Sequence, residues 1–184
     1  MENWEIKDPI HGYIELYKPE INIVDTPQFQ RLRRIRQLSA AHLTYPGAEH
    51  TRFHHSLGVL HVAGMIARRL QNAELITPEE AQKLRLAGLL HDIGHGPFSH
   101  SLEFSLFSNT PHEEISLMFM EQLNREFRGD LSMAFEMFKN RYHKKFLHLL
   151  VSSQRDVDRR DYRKRDRFVS GGAGGVVGAG RSVV

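Results

Sequence analysis

Histidine and aspartate are concentrated in one stretch of the sequence, in a pattern that suits a metal ion. Eight of the 12 histidines fall between His50 and His112. His55 lies on the apolar stripe of one predicted helix, and His91 lies on that of a later helix, with Asp92 directly after it. Imidazole and carboxylate groups on inward faces of packed helices form a hard site for a divalent cation such as Mg, Mn, Fe or Zn. Because the chain has no cysteine, any metal must bind nitrogen and oxygen ligands.

A second run of histidines follows this pattern and suits proton transfer. His95 and His100 flank the segment Gly96–Ser99. His100 and Glu103 then stand three residues apart, on one face of what the sequence predicts to be the next helix. A histidine with a nearby carboxylate can donate or accept a proton near neutral pH. This run therefore predicts an acid or base group close to the metal ligands.

Single histidines elsewhere have a simpler interpretation. A lone histidine on an apolar stripe is most often a hydrogen-bonded core residue, and we interpret His42, His143 and His148 in that way. The inward-facing groups of the two runs differ, because each would cost several kcal/mol if it entered a helical core without a partner. A metal ion with a substrate phosphate removes that cost.

The elements that must position these groups are mainly helices. A turn followed by a short alternating strand is predicted for Asp8 to Leu16. Apolar residues recur at helical spacing in four segments, namely residues 55–70, 79–91, 115–127 and about 143–168. We expect loops at residues 47–53 and 94–99, with Gly94 ending the second of these helices.

Three helix starts are marked by a threonine followed by a proline. Thr26-Pro27 precedes a helix predicted from Phe29 to Leu38. The segments Thr77–Glu80 and Thr110–Glu113 each read Thr-Pro-x-Glu, which is a capping box with proline at the first helical position. In each box the threonine hydroxyl and the glutamate carboxylate can accept hydrogen bonds from backbone N–H groups at the helix start.

The composition indicates one globular domain. A chain of 184 residues can bury a core of its own, and hydrophobic residues at 40% with charged residues at 26% are ordinary for such a domain. No apolar run approaches the length that crosses a bilayer. The first residues lack the basic and then apolar layout of a signal peptide. We therefore expect a cytoplasmic protein with no membrane partner.

The net charge of +3 lies in one short segment. Residues 155–167 hold seven basic residues and four aspartates, so the rest of the chain is neutral. A domain whose body is neutral does not present the broad basic surface that nucleic-acid binding requires.

Five blocks of the sequence carry a resemblance to a known family. The blocks are Asp8–Gly12, Asp25–Arg33, Thr51–Val59, His91–His100 and Asp156–Tyr162. In this order they resemble the HD superfamily of metal-dependent phosphohydrolases, and within it the branch of deoxynucleoside triphosphate (dNTP) triphosphohydrolases. The resemblance implies a mainly α fold, an HD-domain helical bundle with a short N-terminal β-hairpin or strand. It also implies hydrolysis of a dNTP to a deoxynucleoside and intact triphosphate.

The resemblance implies a role for each matching residue. The metal ligands would be His55, His91, Asp92 and Asp158. The proton-transfer group would be His100, with His95, Glu103 and His112 nearby. Arg52 and Arg159 would hold triphosphate oxygens, since a planar guanidinium can donate two parallel hydrogen bonds. The residues that meet the sugar would be Gln37, Leu38, Tyr162 and Asp166.

The resemblance also extends to assembly. Asp25 and Arg33 resemble residues that bind an activating nucleotide between subunits in regulated members, which implies a homo-oligomer such as a tetramer. Members of the family extend well beyond this length. We therefore expect residues 1–184 to be a single HD domain truncated at its C-terminus, with a Gly-rich tail over residues 170–184.

One segment departs from the family pattern. The family places mainly apolar side chains where this chain has Arg160, Arg163 and Arg167, which are spaced as one helical stripe. Burying an unpaired guanidinium costs several kcal/mol. We therefore expect the chain beyond about Arg155 to be irregular and the isolated chain to be a poor catalyst.

Two other functions stay open on the sequence. An HD phosphohydrolase of other specificity, such as a nucleotide monophosphatase or phosphodiesterase, would use the same metal ligands and yield different products. A non-catalytic binder of nucleotides or nucleic acid would use the basic segment 155–167 and would bind in a salt-sensitive way without turnover. Such a binder would not need the four metal ligands, so we favour the dNTP triphosphohydrolase.

Overall fold

The N-terminal part of the fold is a β-hairpin, and the rest is helical, which confirms the predicted class. The computed structural model of the chain describes residues 3–98, 111–152 and 156–171. Strand β1 (Asn3–Asp8) pairs with strand β2 (Gly12–Tyr17) in antiparallel register, with Ile6 opposite Ile14. Ile14 and Leu16 are buried while their neighbours along β2 are exposed or half-buried, as the predicted alternation requires.

Eight α-helices follow among the described residues. They are α1 (Lys18–Val24), α2 (Pro27–Gln30), α3 (Arg52–Asn72), α4 (Pro78–Leu90), α5 (His112–Glu126), α6 (Ser132–Phe138), α7 (Lys145–Val151) and α8 (Val157–Ser170). Helix α3 packs against both α4 and α8. It therefore connects the elements that carry the candidate site.

A glycine sets the close approach of α3 and α4. A Cβ on Gly88 would lie 3.3 Å from side-chain atoms of Val59 and Ala63, so the two helices pack tightly at this glycine. The buried leucines of these two helices belong to the hydrophobic core, namely Leu57, Leu60, Leu84, Leu86, Leu89 and Leu90. This packing brings the rings of His55 and His91 to 5.2 Å between centroids.

The helix predicted from Phe29 to Leu38 is wrong. Thr26 does cap a helix, since its hydroxyl accepts from the backbone N–H of Phe29, but α2 ends at Gln30 and a 3₁₀ turn follows over Arg31–Arg34. The chain then extends, because Gln37 donates its backbone N–H to His50 (3.0 Å) and Ile35 accepts that of Arg52 (2.8 Å). Pairing with a distant segment overrides the local helical pattern.

Two further boundaries differ from the predictions. The loop expected at residues 47–53 ends at Thr51, because α3 already begins at Arg52. Helix α5 begins at His112 with Pro111 before it as the capping position, so proline is not its first helical residue, and Thr110 lies outside the described residues.

The box at Thr77 is confirmed: Thr77 and Glu80 exchange backbone-to-side-chain hydrogen bonds of 2.8 and 3.1 Å.

The single helical pattern predicted for about 143–168 is two helices. Ser152 after α7 leaves the helical region, and Asp156 before α8 has extended backbone angles. The Asp156 carboxylate accepts the backbone N–H of Arg159 at 2.8 Å and starts α8. An aspartate is a strong N-cap, so the same charged run that looked like helix interior contains a helix start.

The expectation of an irregular chain beyond Arg155 is wrong for α8, which is a regular helix from Val157 to Ser170. Arg163 and Arg167 are exposed and Arg160 is half-buried, so the predicted arginine stripe faces mainly toward solvent. The inward face of α8 consists of Val157, Asp161 and Arg165. Residues 172–184 of the Gly-rich tail lie outside the described part. None of the described helices has the length and apolar character needed to cross a membrane.

Candidate metal centre

Three side chains from three helices converge in the interior. His55 comes from the second turn of α3, His91 from the end of α4 and Asp158 from the first turn of α8. Each offers a ligand atom, and these atoms all lie within 4.8 Å of one another. His55 is fully buried and His91 nearly so. Helix packing therefore brings three of the four predicted ligands to one point, and the fourth, Asp92, lies directly beside it.

The distances between ligand atoms match those around one cation. His55 Nε2 lies 2.9 Å from Asp158 Oδ1, and His91 Nε2 lies 3.2 Å from Asp92 Oδ1. Ligands bonded at about 2.0–2.2 Å to a shared metal are separated by about 3 Å. His55 Nε2 and His91 Nε2 are buried and make no hydrogen bond among the described residues. A cation would satisfy both atoms, so these residues fit a metal.

The other nitrogen of each imidazole is held by a hydrogen bond. His91 Nδ1 lies 2.7 Å from the carbonyl oxygen of Gly88, which can only accept. His55 Nδ1 lies 2.8 Å from Asp161 Oδ2. Both Nδ1 atoms are therefore donors, and in the neutral rings each Nε2 carries a lone pair toward the cluster.

The cluster attracts positive charge. Burial disfavours the charged form of His55, but Asp158 and Asp161 beside it raise its pKa to about 10. Burial disfavours the carboxylate of Asp92, yet His91 and Arg52 hold its pKa well below the usual range. The pKa of Asp158 is likewise lowered, against the effect of burial, by His55 and His91. A divalent cation would supply the positive charge that protons on the imidazoles otherwise provide.

A second set of groups adjoins the first through Asp92. Asp92, His95 and His112 also place ligand atoms within 4.8 Å of one another. His95 Nε2 lies 3.3 Å from Asp92 Oδ1, and the His95 ring stacks on that of His112 with centroids 3.7 Å apart. Burial lowers the pKa of His95 to about 4 in spite of Asp92. Burial therefore favours the neutral form of the His95 imidazole. The predicted His100 and Glu103 lie outside the described residues.

The residues predicted to bind substrate surround this centre to different degrees. Buried Arg52 donates from Nη1 to Asp92 Oδ2, at the centre itself. Arg159 lies in the first turn of α8 and is half-buried. Tyr162 lies one turn further along and is also half-buried. Asp25 and Arg33, predicted to bind an activating nucleotide, are both exposed, and the Arg33 guanidinium lies 3.6 Å over the Phe53 ring.

One buried histidine near the predicted sugar residues was not assigned a role from the sequence. His50 Nε2 lies 3.3 Å from Asp166 Oδ1, and His50 also accepts the backbone N–H of Gln37. The side chains of Gln37, His50 and Asp166 each hold a buried polar atom without a hydrogen bond among the described residues. Leu38 is half-buried beside Gln37. Unsatisfied polar atoms in a cluster are typical of a polar binding site.

The sequence also did not reveal the residues that support His55. Asp161 is fully buried and its carboxylate contacts His11, His55 and Arg165. Arg165 is 1% exposed and also binds Asp8. The available signal was the spacing of Val157, Asp161 and Arg165, which lie four residues apart and share one helix face.

Known proteins resemble this chain over most of its length. The family model "HD domain" matches residues 52–167. The human deoxynucleoside triphosphate triphosphohydrolase SAMHD1 is 37% identical, over 88% of this chain and 32% of the human protein. An uncharacterized protein of Methanocaldococcus jannaschii is 38% identical, over 94% of this chain and 35% of that protein.

A solved structure shows the same fold. The crystal structure of a phosphohydrolase from Bacteroides thetaiotaomicron aligns with a TM-score of 0.89 and 48% identity, and the alignment covers 91% of this chain and 43% of that one. The chain thus spans about a third of the two curated relatives and less than half of the solved structure.

Proposed function

The chain belongs to the HD-domain family of phosphohydrolases, and from this membership we propose that it hydrolyses dNTPs to a deoxynucleoside and intact triphosphate. The observation that carries the proposal is the buried cluster of His55, His91 and Asp158, with Arg52 and His95 joined to it through Asp92. It supplies a cation site, a guanidinium and a neutral imidazole side by side. Phosphoryl transfer with an anionic leaving group needs these three components.

The reaction consists of one displacement at the α-phosphorus. His55, His91, Asp92 and Asp158 would hold a divalent metal, which would supply Lewis acidity toward a phosphoryl oxygen and water. The water oxygen bonds to the α-phosphorus and the bond from that phosphorus to the 5′ oxygen of the sugar breaks. The deoxynucleoside leaves through its 5′ oxygen, which takes up a proton, while the attacking water gives up a proton and its oxygen stays on the intact triphosphate. We assign the protonation of the 5′ oxygen to His100, with His95, Glu103 and His112 completing the chain of acid and base groups.

The remaining roles divide between phosphate and sugar. We assign Arg52 and Arg159 to the triphosphate, because a guanidinium can bridge two phosphate oxygens. Arg52 is buried and contacts Asp92, and Arg159 is half-buried next to Asp158 in the first turn of α8. The residues that we assign to the sugar are Gln37, Leu38, Tyr162 and Asp166. The unsatisfied polar atoms of Gln37 and Asp166 support this assignment, since a sugar hydroxyl can both donate and accept.

Two further proposals concern assembly. We propose that the active form is a homo-oligomer and that Asp25 and Arg33 bind an activating nucleotide at a subunit contact. The exposure of both residues supports this proposal. Neither residue contributes to the metal cluster, so their substitution is expected to change activation without changing metal content.

The deciding experiment identifies the phosphate product. The chain is incubated with each dNTP and Mn²⁺ or Mg²⁺ in ¹⁸O-labelled water, and the products are followed by phosphorus NMR and mass spectrometry. Whole triphosphate that carries the label supports the proposal. Diphosphate followed by orthophosphate would instead indicate an HD phosphohydrolase of other specificity. Salt-sensitive binding of nucleic acid with no turnover of any dNTP would indicate a binder.

A further inference from the structure

The turn of the N-terminal hairpin reaches the metal centre through two buried side chains. Asp8 ends β1 and is 5% exposed, and the His11 side chain in the turn is equally buried. We propose that Asp8 and His11 are positioning residues for the metal ligand His55, and that they act through Asp161 and Arg165. The inference rests on the metal assignment in the proposed function, and it gives the hairpin a role in that site.

Asp161 holds His55 in the orientation that a metal ligand needs. Its Oδ2 lies 2.8 Å from His55 Nδ1, and both side chains are fully buried. An ionised carboxylate can only accept, so this contact places a proton on Nδ1. The other nitrogen, Nε2, then faces His91 and Asp158 with its lone pair free when the ring is neutral. Such carboxylate partners of metal-bound histidines fix both the tautomer and the ring plane.

Asp161 is itself fixed on both oxygens. Oδ1 lies 2.6 Å from His11 Nε2 and accepts from Arg165 Nη2 at 2.9 Å. Oδ2, which contacts His55, also accepts from Arg165 Nε at 2.8 Å. The guanidinium thus binds the carboxylate through two parallel hydrogen bonds, a geometry that sets its plane as well as its position.

Asp8 in turn fixes the guanidinium. Arg165 Nη1 donates to Asp8 Oδ2 at 2.8 Å. Asp8 Oδ1 accepts the backbone N–H groups of Ile10 and His11 at 2.9 and 3.0 Å. The carboxylate that holds Arg165 therefore also shapes the turn that delivers His11. The order of contacts runs from the turn to Arg165 and Asp161, and from Asp161 to the metal ligand.

Two further contacts limit the movement of α8, one with the hairpin turn and one with α3. Lys164 Nζ donates to the carbonyl oxygen of Ile10 at 3.1 Å. On the opposite side, Gly58 of α3 leaves no room for a Cβ, which would overlap the Asp161 carboxylate and lie 2.5 Å from Arg165 Nη2. The Asp161–Arg165 pair is thus confined between the hairpin turn and the α3 backbone, and a change in the turn must be transmitted to His55.

A matched pair of variants tests this inference on the whole chain. Asp8→Asn weakens the hold on Arg165. Glu20→Gln is the control, because Glu20 is also fully buried and also binds an arginine, Arg85, through two hydrogen bonds of 2.6 and 2.8 Å. Mn²⁺ affinity is measured by titration calorimetry without nucleotide, and the thermal unfolding of the metal-free protein is measured alongside. We expect Asp8→Asn to weaken Mn²⁺ binding about tenfold or more, and Glu20→Gln to leave it within about twofold.

A second comparison establishes the route. His11→Gln removes the other turn contact and is expected to weaken Mn²⁺ binding as well, which keeps the test valid should Asp8→Asn fail to fold. If Asp8 acts through Asp161, then adding Asp8→Asn to Asp161→Asn causes no further loss of affinity. Unchanged Mn²⁺ affinity in both turn variants, losses matched by Glu20→Gln, or additive losses in the double variant would overturn the inference.

The outcome is separable from the fate of the proposed function. Mn²⁺ binding that depends on Asp8, in a chain that releases no triphosphate from any dNTP, supports the inference and contradicts the dNTP assignment. Triphosphate release from a dNTP, together with Mn²⁺ affinity that Asp8→Asn and His11→Gln leave unchanged, supports the dNTP assignment and contradicts the inference. A parent chain that binds no Mn²⁺ overturns both.

Discussion

Gly58 of α3 lies directly beneath the carboxylate of Asp161 on α8, so close that a methyl group on Gly58 would overlap Oδ1. Helix α8 can therefore dock in this position only against a glycine. Asp158 and Asp161 both belong to α8. The contact between Gly58 and Asp161 therefore affects the distances of both carboxylates from His55.

Gly58→Ala is expected to weaken metal binding and lower stability together. The added methyl must displace Asp161 or the whole of α8, and overpacking of this kind costs about 1–3 kcal/mol. Urea unfolding and Mn²⁺ titration measure the two effects. Gly64→Ala on the same helix is the control, because a Cβ there would press on Arg85, which binds Glu20 and does not contact Asp161 or His55. Equal Mn²⁺ affinities for the two variants would show that α8 docks without needing Gly58.

His91→Ala is expected to remove most of the bound metal while the fold survives. The substitution deletes the candidate ligand atom Nε2, which lies 3.2 Å from Asp92 Oδ1 and 3.7 Å from Asp158 Oδ1. Elemental analysis after dialysis against Mn²⁺ gives the metal content, and circular dichroism monitors the helices. His143→Ala serves as control, since the His143 side chain is 70% exposed and the interpretation of His143 as a core residue is wrong. Full metal content in His91→Ala would exclude His91 as a ligand.

Two arginines two residues apart on α8 are expected to behave very differently. Arg165→Met leaves Asp8 and Asp161 buried without their cation, and breaking a buried ion pair costs about 3–5 kcal/mol of the free energy of unfolding. Arg163→Met changes an exposed position and is expected to stay within about 0.5 kcal/mol. Denaturant unfolding decides the matter. Similar values for both would mean that Arg165 is not paired as described.

The stability of the α4 start is expected to depend on acid pH through Glu80. Hydrogen bonds and charge from Lys144, Thr77 and Tyr142 outweigh burial and lower the pKa of Glu80 from 4.5 to about 2. A carboxyl whose pKa is lower in the folded state stabilises the fold above its unfolded pKa. That contribution is lost as the pH falls from about 4.5 toward 2.

Thermal unfolding of the parent chain and of Glu80→Gln measures this contribution. The parent is expected to melt higher at pH 6, and the difference is expected to shrink as the pH falls through that window. Glu79→Gln, at the exposed neighbouring position, controls for the loss of a charge. A difference in melting temperature that is constant between pH 6 and pH 2 would contradict the assignment.

The inward placement of the candidate ligands His55 and His91 could be predicted from helical periodicity alone. Asp158 could be predicted only through the family resemblance, since it stands among 11 charged residues in the 14 of segment 155–168. The same composition concealed the burial of Asp161 and Arg165. Their burial depends on Gly58 and on Asp8, which is 157 residues from Arg165. No local window of sequence contains that information.

The errors in the fold have the same origin. The helix predicted through Leu38 fails because Ile35 and Gln37 pair with the chain at His50 and Arg52. The prediction that the arginine stripe would disturb the helix is wrong for a related reason. Periodicity shows which residues share a helix face, but it does not show whether that face points to the core or to solvent. Asp161 and Arg165 settle the orientation of α8, since two mutually paired charges on one face can enter the core where single arginines cannot.

The contact of Asp8 with Arg165 also bears on when the centre can form during synthesis. The nascent chain presents His55, His91 and Asp92 as soon as α4 has emerged from the ribosome, yet Asp158 and Asp161 are translated more than 60 residues later. Until then the hairpin turn has no partner on α8, and closing so long a loop is among the slow steps of folding. Tight cation binding would thus require that the hairpin turn has already packed against α8. Cation binding before that step would be weak and reversible.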